Sequence, residues 1–127
     1  MKINDLMIGD FITFGSEIHK VLAIDSDGVL FLDGCDDLIQ IGLIEPIPIT
    51  NNFLKKNFKL HIEPHYIEWR SEDRRVTIND LSNMEDRDWY CHIDNESFET
   101  IGGADIQYVH ELQHLLRLCG IDKEIEL

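Results

Sequence analysis

Positive charge is scarce in this sequence. Its 127 residues hold 11 lysines and arginines against 25 aspartates and glutamates, a formal net charge of −14 with a pI near 4.6. Non-specific binding to nucleic acid or to an anionic membrane surface needs clustered positive charge, so neither is an expected partner. Long apolar runs are also missing, and none approaches the roughly 20 residues that cross a bilayer as a helix. The opening Met1-Lys2-Ile3-Asn4-Asp5 does not read as a secretory signal. Cysteine is sparse: Cys35, Cys91 and Cys119 form an odd set without a CxxC pair. A disulfide-stapled secreted scaffold shows a denser, even set, so three buried or half-buried thiols in a reducing, cytoplasmic setting are expected. No internal repeat, low-complexity tract, Gly-rich phosphate loop, serine nucleophile elbow or Cys–His nucleophile pair stands out.

What is present suffices for a core. The apolar fraction is 43%, and the length suits one compact domain or two very small ones. Charge is uneven along the chain. Residues 1–48 carry nine acids and two bases, residues 49–79 four acids and six bases, and residues 80–127 twelve acids and three bases. An acidic protein with one slightly basic middle segment suits self-association or a basic protein partner.

Short apolar runs with turn chemistry between them fill the first third. Phe11–Phe14, His19–Ile24, Val29–Leu32, Leu38–Ile41 and Ile44–Ile47 read as strands, with turns at Gly15-Ser16-Glu17, Asp27-Gly28 and Asp33-Gly34. Five such strands in under fifty residues predict a small SH3-like β-barrel over residues 1–48. Pro46 and Pro48 mark its end. Thr50 is a good N-cap for a helix Asn51–Phe58, with Phe53, Leu54 and Phe58 turned inward. A period of two then predicts strands at Leu60–Glu63, Tyr66–Arg70, Arg75–Ile78, Trp89–Ile93 and Ser97–Ile101, with turns at Ser71–Arg74 and Asp94-Asn95 and an exposed loop over 80–88.

Gly102-Gly103 leads into the clearest helix, 105–119, with Asp105 as N-cap and Gly120 as a left-handed stop followed by Ile121 against Leu116. Tyr108, Val109, Leu112, Leu115, Leu116 and Cys119 share its core face, while Gln107, His110, His114 and Arg117 lie roughly opposite. Residues 49–127 are therefore expected to form a helix–β-meander–helix unit, and the whole chain an α+β protein.

One motif carries chemistry. His110-Glu111-Leu112-Gln113-His114 is a literal HExxH, whose spacing puts two imidazoles one helical turn apart. Such a pair can chelate Zn²⁺, and the glutamate between them can act as general base toward a metal-bound water. Three features oppose a zinc hydrolase built on His110, His114 and Glu111. A third ligand would have to come from the thirteen residues after His114, which offer Glu124 or Glu126. The longer metzincin pattern fails, because its Gly and third His fall at Arg117 and Gly120. A solvated helix face explains the polarity without a metal, so no cofactor is expected.

Other candidates are weaker. Asp25-x-Asp27-Gly28 and Asp33-Gly34-Cys35-Asp36-Asp37 lack the ligand spacing of an EF-hand and read as hairpin turns. Cys91-His92 would join His110 and His114 only where strand and helix meet. Tyr66, Trp69, Arg70, Arg74 and Arg75, extended by Lys55, Lys56 and Lys59, form a basic and aromatic patch. Stacking on single strands is what such a patch offers, but Glu68, Glu72 and Asp73 interrupt it, so it reads as an interaction surface for protein.

Three stretches together carry a resemblance. They are Leu6-Met7-Ile8-Gly9-Asp10-Phe11-Ile12, then Pro46-Ile47-Pro48-Ile49-Thr50 with Phe53-Leu54-Lys55-Lys56, and the ending Tyr108–Gly120, a YVHxLQHxLRLCG-like helix. The chain resembles, over nearly its whole length, a group of small bacterial proteins with no assigned activity from phage-like and mobile elements of gut Bacteroidetes. The resemblance implies a barrel followed by an α+β half. It also implies that the glutamate of HExxH is not a family property, since relatives commonly carry Gln at the position of Glu111 and some lack the second His. The leading expectation is a non-enzymatic protein-interaction module of a phage or mobile element. The alternatives are a minimal zinc-dependent hydrolase and an acidic DNA mimic that occupies a basic site on another protein.

Overall fold

The computed structural model describes residues 5–58, 61–63, 66–81 and 89–127, and the side chains of all of these except 61–63. The protein is mixed α+β, and the described residues form ten strands in two antiparallel five-stranded sheets and two α-helices. The chain divides into two compact units, Met1–Pro48 with Tyr108–His110, and Ile49–Gln107 with Glu111–Leu127. No helix among the described residues is long and apolar enough to cross a membrane.

The first unit holds β1 (Phe11–Phe14), β2 (Glu17–Ile24), β3 (Val29–Leu32), β4 (Ile39–Gln40) and β5 (Glu45–Pro46) in the order β4-β3-β2-β1-β5. Gly15 and Ser16 close the β1–β2 hairpin, both at positive φ, as the twist of a two-residue turn requires. At the β2–β3 turn the Asp25 carboxylate accepts the backbone N–H groups of Asp27 and Val29 at 2.8 and 2.9 Å, and Gly28 adopts φ +79°. Alternation puts Ile12, Val21, Leu30, Leu32 and Ile39 inside with Leu6 and Ile44. The fully buried Asp10 caps the approach to β1, its carboxylate accepting the Met7 N–H at 2.8 Å.

The sheet does not close into the predicted barrel. Among the described residues, β4 and β5 are its two edges and do not pair with each other. Each is two residues long, with a 3-10 turn at Ile41–Leu43 between them, too short to lay a closing ladder. Tyr108 adds an antiparallel bridge to Pro48, and the Val109 N–H donates to the Ile47 carbonyl at 2.8 Å.

The second unit begins with α1 (Asn51–Asn57), whose N-cap Thr50 accepts the Phe53 N–H at 3.1 Å. Then follow β6 (His61–Glu63), β7 (Tyr66–Arg70), β8 (Arg74–Asp80), β9 (Trp89–Asn95) and β10 (Thr100–Ile106), a meander in the order β10-β9-β8-β7-β6. Leu60, Lys59 and most of the expected 80–88 loop (residues 82–88) lie outside the described residues. One sheet face buries Ile67, Val76, Ile78, Trp89, Cys91, Ile93 and Ile106.

The last helix is shorter than expected. Asp105 and Ile106 belong to β10, and α2 runs Val109–Leu118. Gly102 and Gly103 are not the helix lead-in but lie in β10 opposite Ile93 and His92. Packing explains glycine in a strand here: a Cβ on Gly102 would stand 2.6 Å from Cys119 Sγ, and one on Gly103 would stand 2.6 Å from the Tyr90 hydroxyl. The meander's last turn also sits later than expected, at residues 95–99, where the Asn95 side chain accepts the N–H groups of Ser97 and Glu99. The stop of α2 follows the expected pattern. Gly120 takes φ +74°, its N–H donates to the Arg117 carbonyl, and the Ile121 N–H donates to the Leu116 carbonyl at 2.8 Å. After the stop the chain stays docked. The buried Asn57 amide donates to the Glu126 carbonyl at 2.9 Å and its oxygen accepts the Glu126 N–H at 2.7 Å.

Replacing Gly102 with alanine forces the end of α2 to shift, and a loss of about 1–3 kcal/mol is expected in urea denaturation. In a Cys119→Ala background the same substitution should cost clearly less, because the obstructing sulfur is gone. Equal costs in the two backgrounds would refute the steric account.

Candidate functional site

The HExxH residues are on a helix, but its polar face is not where helical phase alone placed it. His110 is 5% exposed, buried instead of solvated, and its ring stacks on Tyr108 with centroids 5.9 Å apart and planes 10° apart. Gln113 is buried as well, and His114 is half-buried. Glu111 sits in the first turn of α2, where its carboxylate accepts the Gln107 N–H at 2.9 Å. That contact gives the glutamate an ordinary helix-capping role at the positive end of the dipole. Among the described residues, no three His, Cys, Asp or Glu side chains are grouped to hold a metal ion. Glu124 and Glu126 are exposed near the docked end of the chain. Cys91 and His92 are neighbours on β9, so the pleat points them to opposite faces of the sheet, Cys91 into the core.

Burial pushes the Cys91 thiol up to about 12, with Cys119 adding to the shift. Burial also raises Cys119, although Arg74 opposes it. Thiols in this state are inert packing groups. All three cysteines are free.

The pleat also divides the basic and aromatic candidates. Tyr66 and Arg70 on β7 share a face with Arg75 on β8, whereas Trp69 and Arg74 belong to the other face. Trp69 meets Phe58 edge-on at 6.5 Å, with the Lys123 ammonium 5.4–5.5 Å from both rings. Arg74 donates to the Cys119 carbonyl at 3.1 Å and to the Asp73 carbonyl at 2.9 Å. Arg70 pairs with Glu68. Arg75 donates from Nε and Nη2 to one oxygen of the buried Asp94, at 2.9 and 2.6 Å, and its guanidinium lies 4.9 Å from the Phe98 ring centre. Trp69, Arg70, Arg74 and Arg75 therefore have partners inside the second unit. They brace the sheet instead of forming one continuous patch.

Sequence reasoning missed a surface in the first unit. Because Ile12, Val21, Leu30 and Leu32 point inward, Phe11, Ile18, Lys20 and Phe31 occupy the opposite face. Phe11 stands across from Lys20, Thr13 from Ile18, and Ala23 from Phe31. Lys20 covers Phe11, with its ammonium 5.4 Å from the ring centre. Ile18, Leu22 and Phe31 are 51%, 41% and 40% exposed, and Leu22 falls at the bulge between Val21 and Ala23. Met7, Ile8, Leu38 and Leu43 in the loops of this unit are also exposed. A signal was available: β2 and β3 are apolar at both parities, whereas a half-buried strand is apolar at one.

Comparison with protein-family models, with curated proteins and with solved structures returns no match. The sites therefore rest on their own geometry.

The Arg75–Asp94 pair has a measurable signature. Burial alone would raise the Asp94 carboxyl. Hydrogen bonds from Arg75 and Thr100, with the charges of His92 and Arg75, outweigh that and hold it below its ordinary value. A carboxyl depressed in the folded state stabilises the fold above its unfolded value of about 3.9, and that contribution disappears as pH falls through the folded value. Asp94→Asn should lower stability near neutral pH by about 2–3 kcal/mol, since it strips a half-buried guanidinium of its counter-charge. The gap between the two proteins should narrow steadily below about pH 4. A gap unchanged by acid would show that the ion pair is not its source.

Proposed function

We propose that this protein is a non-enzymatic interaction module whose first unit docks a partner protein on the outer face of its sheet. The observation that carries the reading is the exposed apolar side chains Ile18 and Phe31 on the outer sheet face, with Leu22 at the bulge of β2. Monomeric proteins rarely leave such side chains grouped in water without a use for them. Charge supplies the partner's chemistry. Nine acids and two bases occupy residues 1–48, and Glu45 lies opposite Thr13 beside the row. A segment with apolar side chains flanked by lysines or arginines complements both features.

The strand order β4-β3-β2-β1-β5, with a 3-10 turn between β4 and β5, supports an SH3-like reading of the first unit. That likeness concerns architecture, and the binding role is argued from the surface. The resemblance to mobile-element proteins, and three free cysteines without a CxxC pair, support a role inside a bacterial cell.

Photo-crosslinkers placed at Leu22 and Phe31 in the native host identify the partner, which is then purified and titrated directly. Phe31→Asp should weaken that binding roughly tenfold or more, while Arg70→Ala on the second unit leaves it within about twofold. Raising salt to about 500 mM should weaken it further, because exposed complementary charges are screened. A partner that crosslinks elsewhere, or binds Phe31→Asp as tightly as the wild type, would remove this surface from the account. Sedimentation that shows a dimer dissolved by Phe31→Asp would make a second copy of the chain the occupant instead.

A further inference from the structure

The first unit brings together three side chains that lie far from the docking row in chemistry. His19 on β2 points to the core side of the sheet, opposite Ile12 and against Phe14. Its side chain is largely enclosed, and its Nδ1 lies 2.8 Å from the Asp33 carbonyl. A carbonyl only accepts, so Nδ1 carries the hydrogen and donates it. The other nitrogen, Nε2, faces the exposed Glu17 carboxylate at 3.7 Å. Cys35, half-buried just past the Asp33-Gly34 turn, holds its sulfur 3.7 Å from Nδ1 and 3.8 Å from Nε2. Gly34 takes φ +83° there, so the turn brings the sulfur back over the ring.

We propose that Cys35 is a reactive thiol site positioned by His19, and that it exchanges with small cationic disulfides. The sulfur lies against the imidazole, 3.7 and 3.8 Å from its two nitrogens. The Asp33 carbonyl fixes the ring from one side, and the exposed Glu17 carboxylate lies 3.7 Å from its other nitrogen. With Nδ1 donating to the Asp33 carbonyl, Nε2 is the ring nitrogen that can accept, 3.8 Å from the sulfur and placed to take the thiol proton as the sulfur attacks. Asp33, Asp36 and Asp37 flank the thiol in sequence, Glu17 approaches it through His19, and no lysine or arginine lies between Val21 and Glu45. That local field attracts a cationic reagent and repels an anionic one.

The exchange is balanced. The Cys35 sulfur attacks one sulfur of R–S–S–R, a bond forms between them, and the reagent's S–S bond breaks. The leaving R–S⁻ takes up the proton that Cys35 gave up, so Cys35–SH and R–S–S–R become Cys35–S–S–R and R–SH. Cys91 and Cys119 are buried and serve as internal controls.

The test treats the intact folded protein at about pH 7 with cystamine, which is cationic, and separately with oxidised glutathione, which is anionic. Each rate is divided by that of an unstructured cysteine peptide with the same reagent. Intact mass and peptide mapping should show one adduct per chain, at Cys35, with cystamine favoured by roughly tenfold. His19→Gln should slow the cystamine reaction about tenfold, and Glu17→Gln, an exposed and structurally safe change, about two- to threefold. Glu17→Gln keeps the test decisive even where His19→Gln fails to fold. Adducts on Cys91 or Cys119 ahead of Cys35, or wild-type rates in Glu17→Gln and in folded His19→Gln, would overturn the proposal. Equal normalised rates for the two disulfides would overturn its charge preference.

Discussion

A strand has two faces, and a short chain has only enough apolar surface to bury one of them. Both sheets of this protein are organised by that limit. In the first unit it turns Ile12, Val21, Leu30 and Leu32 inward, and the pleat then sends Phe11, Ile18 and Phe31 outward without further choice. In the second it commits Val76, Ile78, Cys91 and Ile93 to the core and leaves Arg75, Thr77, His92 and Asp94 on the other side. A slip of one residue in either ladder would exchange these sets, so the core and the surface chemistry are specified together.

Polar side chains in this protein serve the backbone more often than they serve a site. Thr50 and Glu111 satisfy helix starts, Asp25 and Asn95 close turns, and Asn57 holds the last residues in place. Arg75 and Asp94 neutralise each other at the edge of the buried layer. The same use of polarity is seen within HExxH. Its glutamate already accepts a backbone hydrogen bond, and one of its histidines is packed against a tyrosine.

What is left over is concentrated in the first unit: exposed apolar side chains on its outer face, an excess of acids, and a thiol beside an imidazole. The row lies on the outer face, whereas His19 and Cys35 lie on the core side, so docking and thiol chemistry are separable in experiment. Acidity enters both proposals, as the reason for a basic partner at the row and for a cationic reagent at the thiol.

Much of the architecture was legible in the sequence. Two-residue alternation and turn residues located the strands of the first unit, and capping residues located the Thr50 cap and the Gly120 stop. These signals are local, since each depends on a few neighbouring dihedral angles and hydrogen bonds. The Gly102-Gly103 pair was misplaced because glycine looks alike in a turn and in a strand, and only the approach of Cys119 and Tyr90 tells the two apart. Helical phase put His110 opposite the core, but phase describes one helix against one surface, and burial depends on everything packed around it. The sequence determined the elements, the charge and the inventory of reactive groups. Tertiary structure alone decided that Arg74 reaches the Cys119 carbonyl, and that Cys35 meets His19, because contacts across strands and turns join residues that no local pattern relates.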